Sequence, residues 1–131
     1  AREHGLTPKA RILGLSAGGV PPRVMGIGPV PSPKKLMKGL GLKMDDLDLI
    51  ELNEAFAAQG LAVLRELDVK DDDPRVNPQG GAIALGHPLG ASGARLVTTA
   101  MYQLQRENKT IALCTMCVGV GQGSSIVIEK V

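Results

Sequence analysis

Aromatic side chains are nearly absent from this sequence. Its 131 residues include one Phe, one Tyr and no Trp. Single-stranded nucleic acid is usually bound by stacking bases on aromatic rings, so this scarcity argues against such a function. Hydrophobic residues still make up 44% of the chain, and most are aliphatic. A chain of this length and composition can bury one modest core, and we expect a single domain over residues 1–131.

Long apolar runs and an excess of one charge are also missing. No apolar stretch reaches the roughly 18 residues that a membrane span requires, so we expect no membrane partner. The chain has 15 basic and 13 acidic residues, which give a net charge of +2. Because these charges are spread along the sequence, they create no strong field for nucleic acid or anionic lipid. A small-molecule partner is favoured.

Cysteine and histidine are scarce as well. Cys114 and Cys117 lie three positions apart in an apolar run without a preceding signal peptide, so a secreted disulfide scaffold is not expected. The same spacing occurs in redox and zinc motifs, but a zinc site needs further ligands and the chain has only His4 and His87. We therefore expect a cytoplasmic protein with reduced cysteines and no metal.

Glycine and proline are abundant, with 17 and 9 residues, and they separate the predicted elements. We predict strands over residues 10–20, 49–52, 110–116 and 124–131, and helices over 33–38, 54–67 and about 90–106. Ser32 is expected to cap the first helix, and Phe56 to lie on the inner face of the second. Alternating strands and helices predict a layered α/β domain with helices packed on a mixed sheet.

Three polar residues lie in predicted turns at the ends of these elements: Asn53, His87 and Cys117. Turns at strand ends are where α/β folds place reactive side chains. Each residue also has an ordinary explanation, since Asn53 suits a helix N-cap, His87 a turn and Cys117 a core. The glycines at 119, 121 and 123 favour a functional interpretation, because they let backbone N–H groups point at a ligand in an oxyanion hole.

Four segments together resemble the C-terminal motifs of thiolases. They are PRVMGIGP at 22–29, NEAF at 53–56, GGAIALGHPLGASG at 80–93 and CVGVGQG at 117–123. DDDPRVNP at 71–78 and LCTMC at 113–117 are most similar to the β-ketoadipyl-CoA thiolase branch. The resemblance implies the C-terminal half of the layered αβαβα thiolase fold.

The resemblance also implies a reversible Claisen condensation, whose reverse is the thiolysis of a 3-oxoacyl-CoA by coenzyme A. Cys117 would be the acid and base at carbon, and His87 would bind the thioester oxygen and help to activate a nucleophilic cysteine. Asn53 would hold a water in the same oxyanion hole, and the Gly119 N–H would serve a second one. Cys114 would be a core residue.

The same resemblance places the substrate. Met25 lies in the loop near the acyl-CoA, and Ala55 and Phe56 follow Asn53 in the second motif, so all three are expected to contact substrate. Coenzyme A and acetyl-CoA are expected as substrates, with no covalently bound cofactor. Such an enzyme would belong to fatty acid or aromatic degradation.

One thiolase feature is missing, because the cysteine that carries the acyl group lies in the N-terminal half of these enzymes. The chain is therefore expected to be inactive without that half, on the same or a separate chain, and to form a homodimer or homotetramer when complete. Two alternatives stay open: a 3-oxoacyl synthase of related fold, which typically uses a second histidine, and a non-catalytic acyl-CoA-binding or assembly domain. Arg95 and Glu54 are candidates for an ion pair.

Overall fold

The computed structural model describes all residues from 1 to 131, and strands alternate with helices along the chain. The strands are β1 (Ala10–Gly19), β2 (Leu49–Leu52), β3 (Ile111–Val118) and β4 (Gln122–Lys130). The helices are α1 (Pro31–Leu40), α2 (Ala57–Glu66), α3 (Ala82–Leu85) and α4 (Leu89–Arg106). No helix has both the length and the hydropathy needed to cross a membrane.

The four strands form one mixed sheet in the order β1-β4-β3-β2. β4 runs antiparallel to both of its neighbours, β1 and β3, whereas β2 runs parallel to β3. The carboxyl ends of β2 and β3 therefore lie at the same edge of the sheet, where Leu52 is the partner of Thr115. The prediction of a mixed sheet covered by helices is confirmed.

Helices cover both faces of the sheet. On one face, α1 and α2 pack against strand residues such as Ile50 and Leu113. On the other face, α4 packs against Leu49, Ala112 and Cys114. Successive strand side chains point to opposite faces, so the neighbours Leu49 and Ile50 belong to different cores. Cys114 is a buried core residue, as expected.

The start of α1 differs from the prediction. Pro31 takes the first helical position, where the missing proline N–H has no intrahelical partner to lose, so Ser32 lies inside the helix and does not cap it. The Ser32 hydroxyl is buried and hydrogen-bonds to Ser125 Oγ at 2.7 Å. Ser125 Oγ lies 2.8 Å from Thr115 Oγ1. These three hydroxyls join α1 to the two central strands.

The second predicted helix begins later than expected, at Ala57 and not at Glu54. Phe56 precedes the first helical residue, has an extended backbone and is 64% exposed. The prediction that Phe56 lies on the inner face with Val63 and Leu64 is therefore wrong. Helical spacing cannot bury Phe56, because the chain has not yet entered the helix at that residue.

The buried ion pair of this domain joins Arg95 to Glu51, and not to Glu54 as the sequence suggested. Arg95 Nη1 donates to Glu51 Oε2 at 3.1 Å, and the Glu51 side chain is 0% exposed. Glu51 shares the α4 face of β2 with Leu49, two residues earlier, whereas Glu54 lies beyond the end of the strand. Burial raises the pKa of Glu51 to about 7, although Arg95 opposes the shift.

We expect Glu51 to make the domain less stable as the pH rises from its ordinary pKa of 4.5 to about 7. In this range the folded state retains a proton that the unfolded state has released, so raising the pH lowers the free energy of unfolding, by up to about 3 kcal/mol. Glu51→Gln cannot ionise and lacks this slope. Urea titrations of both proteins from acid to mildly alkaline pH measure the difference, and a difference that does not change with pH would contradict the expectation.

Candidate active site

Asn53 follows β2 directly and is held against β3. Its backbone N–H donates to Thr115 O at 2.9 Å, which continues the parallel pairing for one residue. Because α2 begins only at Ala57, Asn53 is not its N-cap. The side chain is 0% exposed, and Oδ1 has no hydrogen-bond partner within the chain. A buried amide oxygen without a partner is costly, which favours a water or ligand at this position.

His87 lies in the turn between α3 and α4 and contacts Asn53. The Nε2 atom of His87 is 3.4 Å from Asn53 Nδ2, and its Nδ1 atom is 2.5 Å from Ser92 Oγ in the first turn of α4. The imidazole is therefore held at both nitrogens. The structure brings together two of the three residues that the sequence singled out.

Cys117 is the second-last residue of β3, so it lies in a strand and not in a turn as predicted. It pairs with Gly123 of β4 and is 6% exposed. Because β2 and β3 are parallel, the end of β3 that carries Cys117 lies at the same sheet edge as Asn53. Burial raises the pKa of the Cys117 thiol. At neutral pH the thiol is protonated and suited to donate a proton.

The glycine loop connects β3 to β4 through three residues. Gly119 is exposed, and no atom lies within 4 Å of the position that a Cβ would take there, which leaves room for a ligand. Val120 has φ 59° and ψ 23°, a left-handed conformation that costs a β-branched residue about 1–3 kcal/mol. Gly121 O accepts a hydrogen bond from Val20 N at 2.7 Å and anchors the loop. Strain of this kind is concentrated at functional sites.

Two of the three predicted substrate-binding residues line a common depression of about 450 Å³. Met25 contributes from the turn that follows β1, Phe56 from the position just before α2, and Gln59 from α2 itself. Ala55 is partly buried and does not line this depression. The exposed ring of Phe56 is therefore available to a ligand or to another part of the protein.

The site combines a buried amide, an imidazole and a protonated thiol, the groups that proton transfer and oxyanion stabilisation require. The family model described as thiolase, C-terminal domain, matches residues 6–130. This chain belongs to that family. The resemblance found in its motifs is confirmed.

Known proteins similar to this thiolase domain include two curated bacterial enzymes. The beta-ketoadipyl-CoA thiolase of Pseudomonas putida is 66% identical over 130 residues, which cover 99% of this chain and 32% of the relative. The acetyl-CoA acetyltransferase of Escherichia coli strain K12 is 55% identical over 126 residues, which cover 96% of this chain and 32% of the relative.

A solved structure shows the same fold. The crystal structure of human mitochondrial 3-ketoacyl-CoA thiolase in complex with CoA matches with a TM-score of 0.94 and 45% identity, over 99% of this chain and 32% of that one. The thiolase domain therefore spans about a third of the length of the relatives it matches.

The residues that hold the thiolase site in place were not predicted from the sequence. Asn77, assigned only to a turn, accepts a hydrogen bond from Leu52 N and donates one to Leu52 O, both at 2.8 Å. Its amide also donates to Glu54 Oε1 at 3.1 Å, and Glu54 Oε2 accepts from Ile83 N at 3.0 Å. These bonds join the end of β2 to α3, which leads directly to His87. The sequence signal was an asparagine before a proline, which is typical of a turn. In the structure Asn77 has the positive φ of 45° that asparagine tolerates in such turns.

Proposed function

We propose that this chain supplies the acid/base part of a complete thiolase, which cleaves a 3-oxoacyl-CoA with coenzyme A and catalyses the reverse Claisen condensation. The observation that carries the proposal is the contact between Asn53 and His87 at the sheet edge where β3 presents Cys117. Membership of the thiolase family supports the same chemistry.

Cys117 is proposed to move the protons. Cleavage of the bond between C2 and C3 leaves its electron pair on C2 as the enolate of acetyl-CoA, while the acyl fragment stays on a nucleophilic cysteine. The Cys117 thiol then protonates C2 and becomes a thiolate. That thiolate removes the proton of the incoming coenzyme A thiol, which attacks the acyl group. A thiol with a raised pKa is a protonated donor in the first step and a strong base in the second.

Charge on the substrate oxygens needs donors. His87 and a water held by Asn53 are proposed to bind the thioester oxygen of the enolate, and the unpartnered Asn53 Oδ1 is available to accept from such a water. The exposed Gly119 N–H is proposed for the oxyanion of the acyl-transfer step. Met25, Phe56 and Ala55 are proposed to border the acyl group.

The nucleophilic cysteine is proposed to come from outside these residues. Cys117 has the acid/base role, and Cys114 is enclosed in the core under α4. Because the chain spans about a third of its relatives, an N-terminal part is proposed to supply the nucleophile and most of the coenzyme A site. That part belongs to the same chain or to a separate one, and the complete enzyme is proposed to be a homodimer or homotetramer.

The proposed substrate is 3-oxoadipyl-CoA. Sequence identity supports this choice, since this chain is 66% identical to a beta-ketoadipyl-CoA thiolase and 55% identical to an acetyl-CoA acetyltransferase. The complete thiolase should therefore cleave 3-oxoadipyl-CoA faster than acetoacetyl-CoA. Loss of the 3-oxoacyl-CoA absorbance in the presence of coenzyme A measures both rates.

His87→Ala is expected to reduce thiolysis by the complete enzyme by about 10²–10⁴-fold, because it removes a group that acts on both the nucleophile and the substrate oxygen. His4→Ala is the matched control, since His4 is exposed near the start of the chain and has no role in the proposed site, so the rate should not change. This chain alone should be inactive. Full activity in the His87→Ala enzyme would contradict the proposal, and binding of acyl-CoA without turnover by the complete protein would favour the non-catalytic alternative.

A further inference from the structure

Ser92 links His87 to the start of α4. Its hydroxyl oxygen is 2.5 Å from His87 Nδ1 and 3.1 Å from Pro88 O, and the residue is 1% exposed. A serine hydroxyl has one hydrogen, and a carbonyl oxygen can only accept. If that hydrogen is donated to Pro88 O, the Ser92 oxygen is left to accept the hydrogen carried by His87 Nδ1.

The opposite ring nitrogen leads to the same assignment. A neutral imidazole with its hydrogen on Nδ1 has only a lone pair on Nε2. That atom faces Asn53 Nδ2, an amide nitrogen that only donates, at 3.4 Å. Both neighbours of the ring therefore favour one tautomer, because the hydrogen bond at one imidazole nitrogen decides the state of the other.

We propose that Ser92 is a positioning residue that fixes His87 as the Nδ1–H tautomer and directs the Nε2 lone pair into the site as a proton acceptor. The catalytic consequence rests on the proposed thiolase function, whereas the tautomer is a property of this chain. When the nucleophilic cysteine becomes a thiolate, its S–H bond breaks and an N–H bond forms at Nε2. The resulting imidazolium then donates that N–H to the substrate oxygen, while Nδ1–H stays bonded to Ser92.

The choice of a hydroxyl has a chemical reason. A ring that starts with its hydrogen on Nε2 has no lone pair there and cannot take the proton of the thiol. A carboxylate at the position of Ser92 would also select the Nδ1–H tautomer, but it would add a negative charge beside a site where negative charge develops on the substrate. Ser92 orients the ring without adding charge.

Ring-nitrogen NMR of the 15N-histidine-labelled chain tests the tautomer directly. In the His4→Gln variant His87 is the only imidazole, because the chain has two histidines. We expect the neutral ring to be protonated at Nδ1 and bare at Nε2. Ser92→Ala should raise the fraction of Nε2–H, the form that histidine prefers in water, while Ser92→Thr and the exposed same-helix control Thr98→Ala should keep Nδ1–H. A hydrogen on Nε2 in the unsubstituted site overturns the proposal.

Activity of the complete enzyme tests the consequence. We expect Ser92→Ala to lower kcat/KM for thiolysis by about 10²-fold through loss of ring orientation, and Ser92→Thr to recover most of that loss. Equal losses in both variants would overturn the positioning role. If the tautomer is as expected and no form of the enzyme is active, the proposed function fails while the assignment of Ser92 stands. If the enzyme is active and His87 has the other tautomer, the assignment of Ser92 fails while the proposed function stands.

Discussion

Cys117→Ala is expected to slow thiolysis of 3-oxoadipyl-CoA by the complete enzyme about 10³-fold, because it removes the only group proposed to protonate the enolate carbon. Exchange of the acetyl-CoA methyl hydrogens with solvent deuterium isolates this step, since exchange requires proton removal at that carbon and no cleavage of a carbon–carbon bond. Mass spectrometry of recovered acetyl-CoA should therefore show the same loss of rate.

The matched control for this prediction is Cys114→Ala. Both cysteines lie on β3 and are almost equally buried, at 3% and 6% exposure, so the two substitutions remove the same sulfur atom from residues of similar solvent exposure. Cys114 packs under α4 in the hydrophobic core, and its loss should lower stability without slowing exchange. Exchange that survives in Cys117→Ala, or that is lost equally in Cys114→Ala, would contradict the acid/base role.

Gly123→Ala is expected to lower the free energy of unfolding by about 3 kcal/mol, the upper end of the usual cost of overpacking, because the backbone cannot move aside. A Cβ at residue 123 would lie 2.0 Å from Gly28 O, and a Cβ at residue 28 would lie 2.3 Å from Gln122 O. The turn after β1 and strand β4 are therefore in direct backbone contact. β4 cannot yield, because it pairs with β3 on one side and β1 on the other.

Gly39→Ala is the control for Gly123→Ala, because the same substitution is expected to raise stability at residue 39. Gly39 lies exposed inside α1, and a Cβ there would meet nothing within 4 Å. This variant should gain about 0.5–1 kcal/mol, because alanine favours the helix more than glycine does. Urea unfolding followed by circular dichroism measures both. A loss below about 1 kcal/mol for Gly123→Ala would show that the turn and β4 can separate without breaking the core.

The elements with regular hydrophobic patterns were predictable from the sequence. The strand at Leu49–Leu52 was predicted with its observed bounds, and α4 differs from its prediction by about one residue, because several buried side chains fix each of them. The errors lie where local patterns compete with longer-range contacts. Serine is a residue type favoured at helix N-caps, but the Ser32 hydroxyl bonds to the sheet. Phe56 has the sequence spacing of a core residue, but it precedes the helix.

The residues of the candidate site also fall into those that local sequence predicted and those that depend on longer-range contacts. Asn53, His87 and Cys117 were found because each is a reactive residue type at the end of an element, in a motif that resembles a known family. Ser92 and Asn77 were not found, because their importance depends on bonds to partners whose position only the folded chain defines. A serine in a first helical turn and an asparagine before a proline have ordinary local explanations.

Asn77 also affects how long the site remains chemically intact. Its amide bonds with the N–H and the C=O of Leu52 as a neighbouring strand would, and deamidation to aspartate would replace the donor to Leu52 O by an acceptor and place a second carboxylate beside Glu54. Deamidation usually begins when the nitrogen of the following residue attacks the side-chain amide. That residue is Pro78, whose nitrogen carries no hydrogen. Pro78 therefore slows the deamidation of an amide that holds Leu52, at the end of β2, to the turn that precedes α3 and His87.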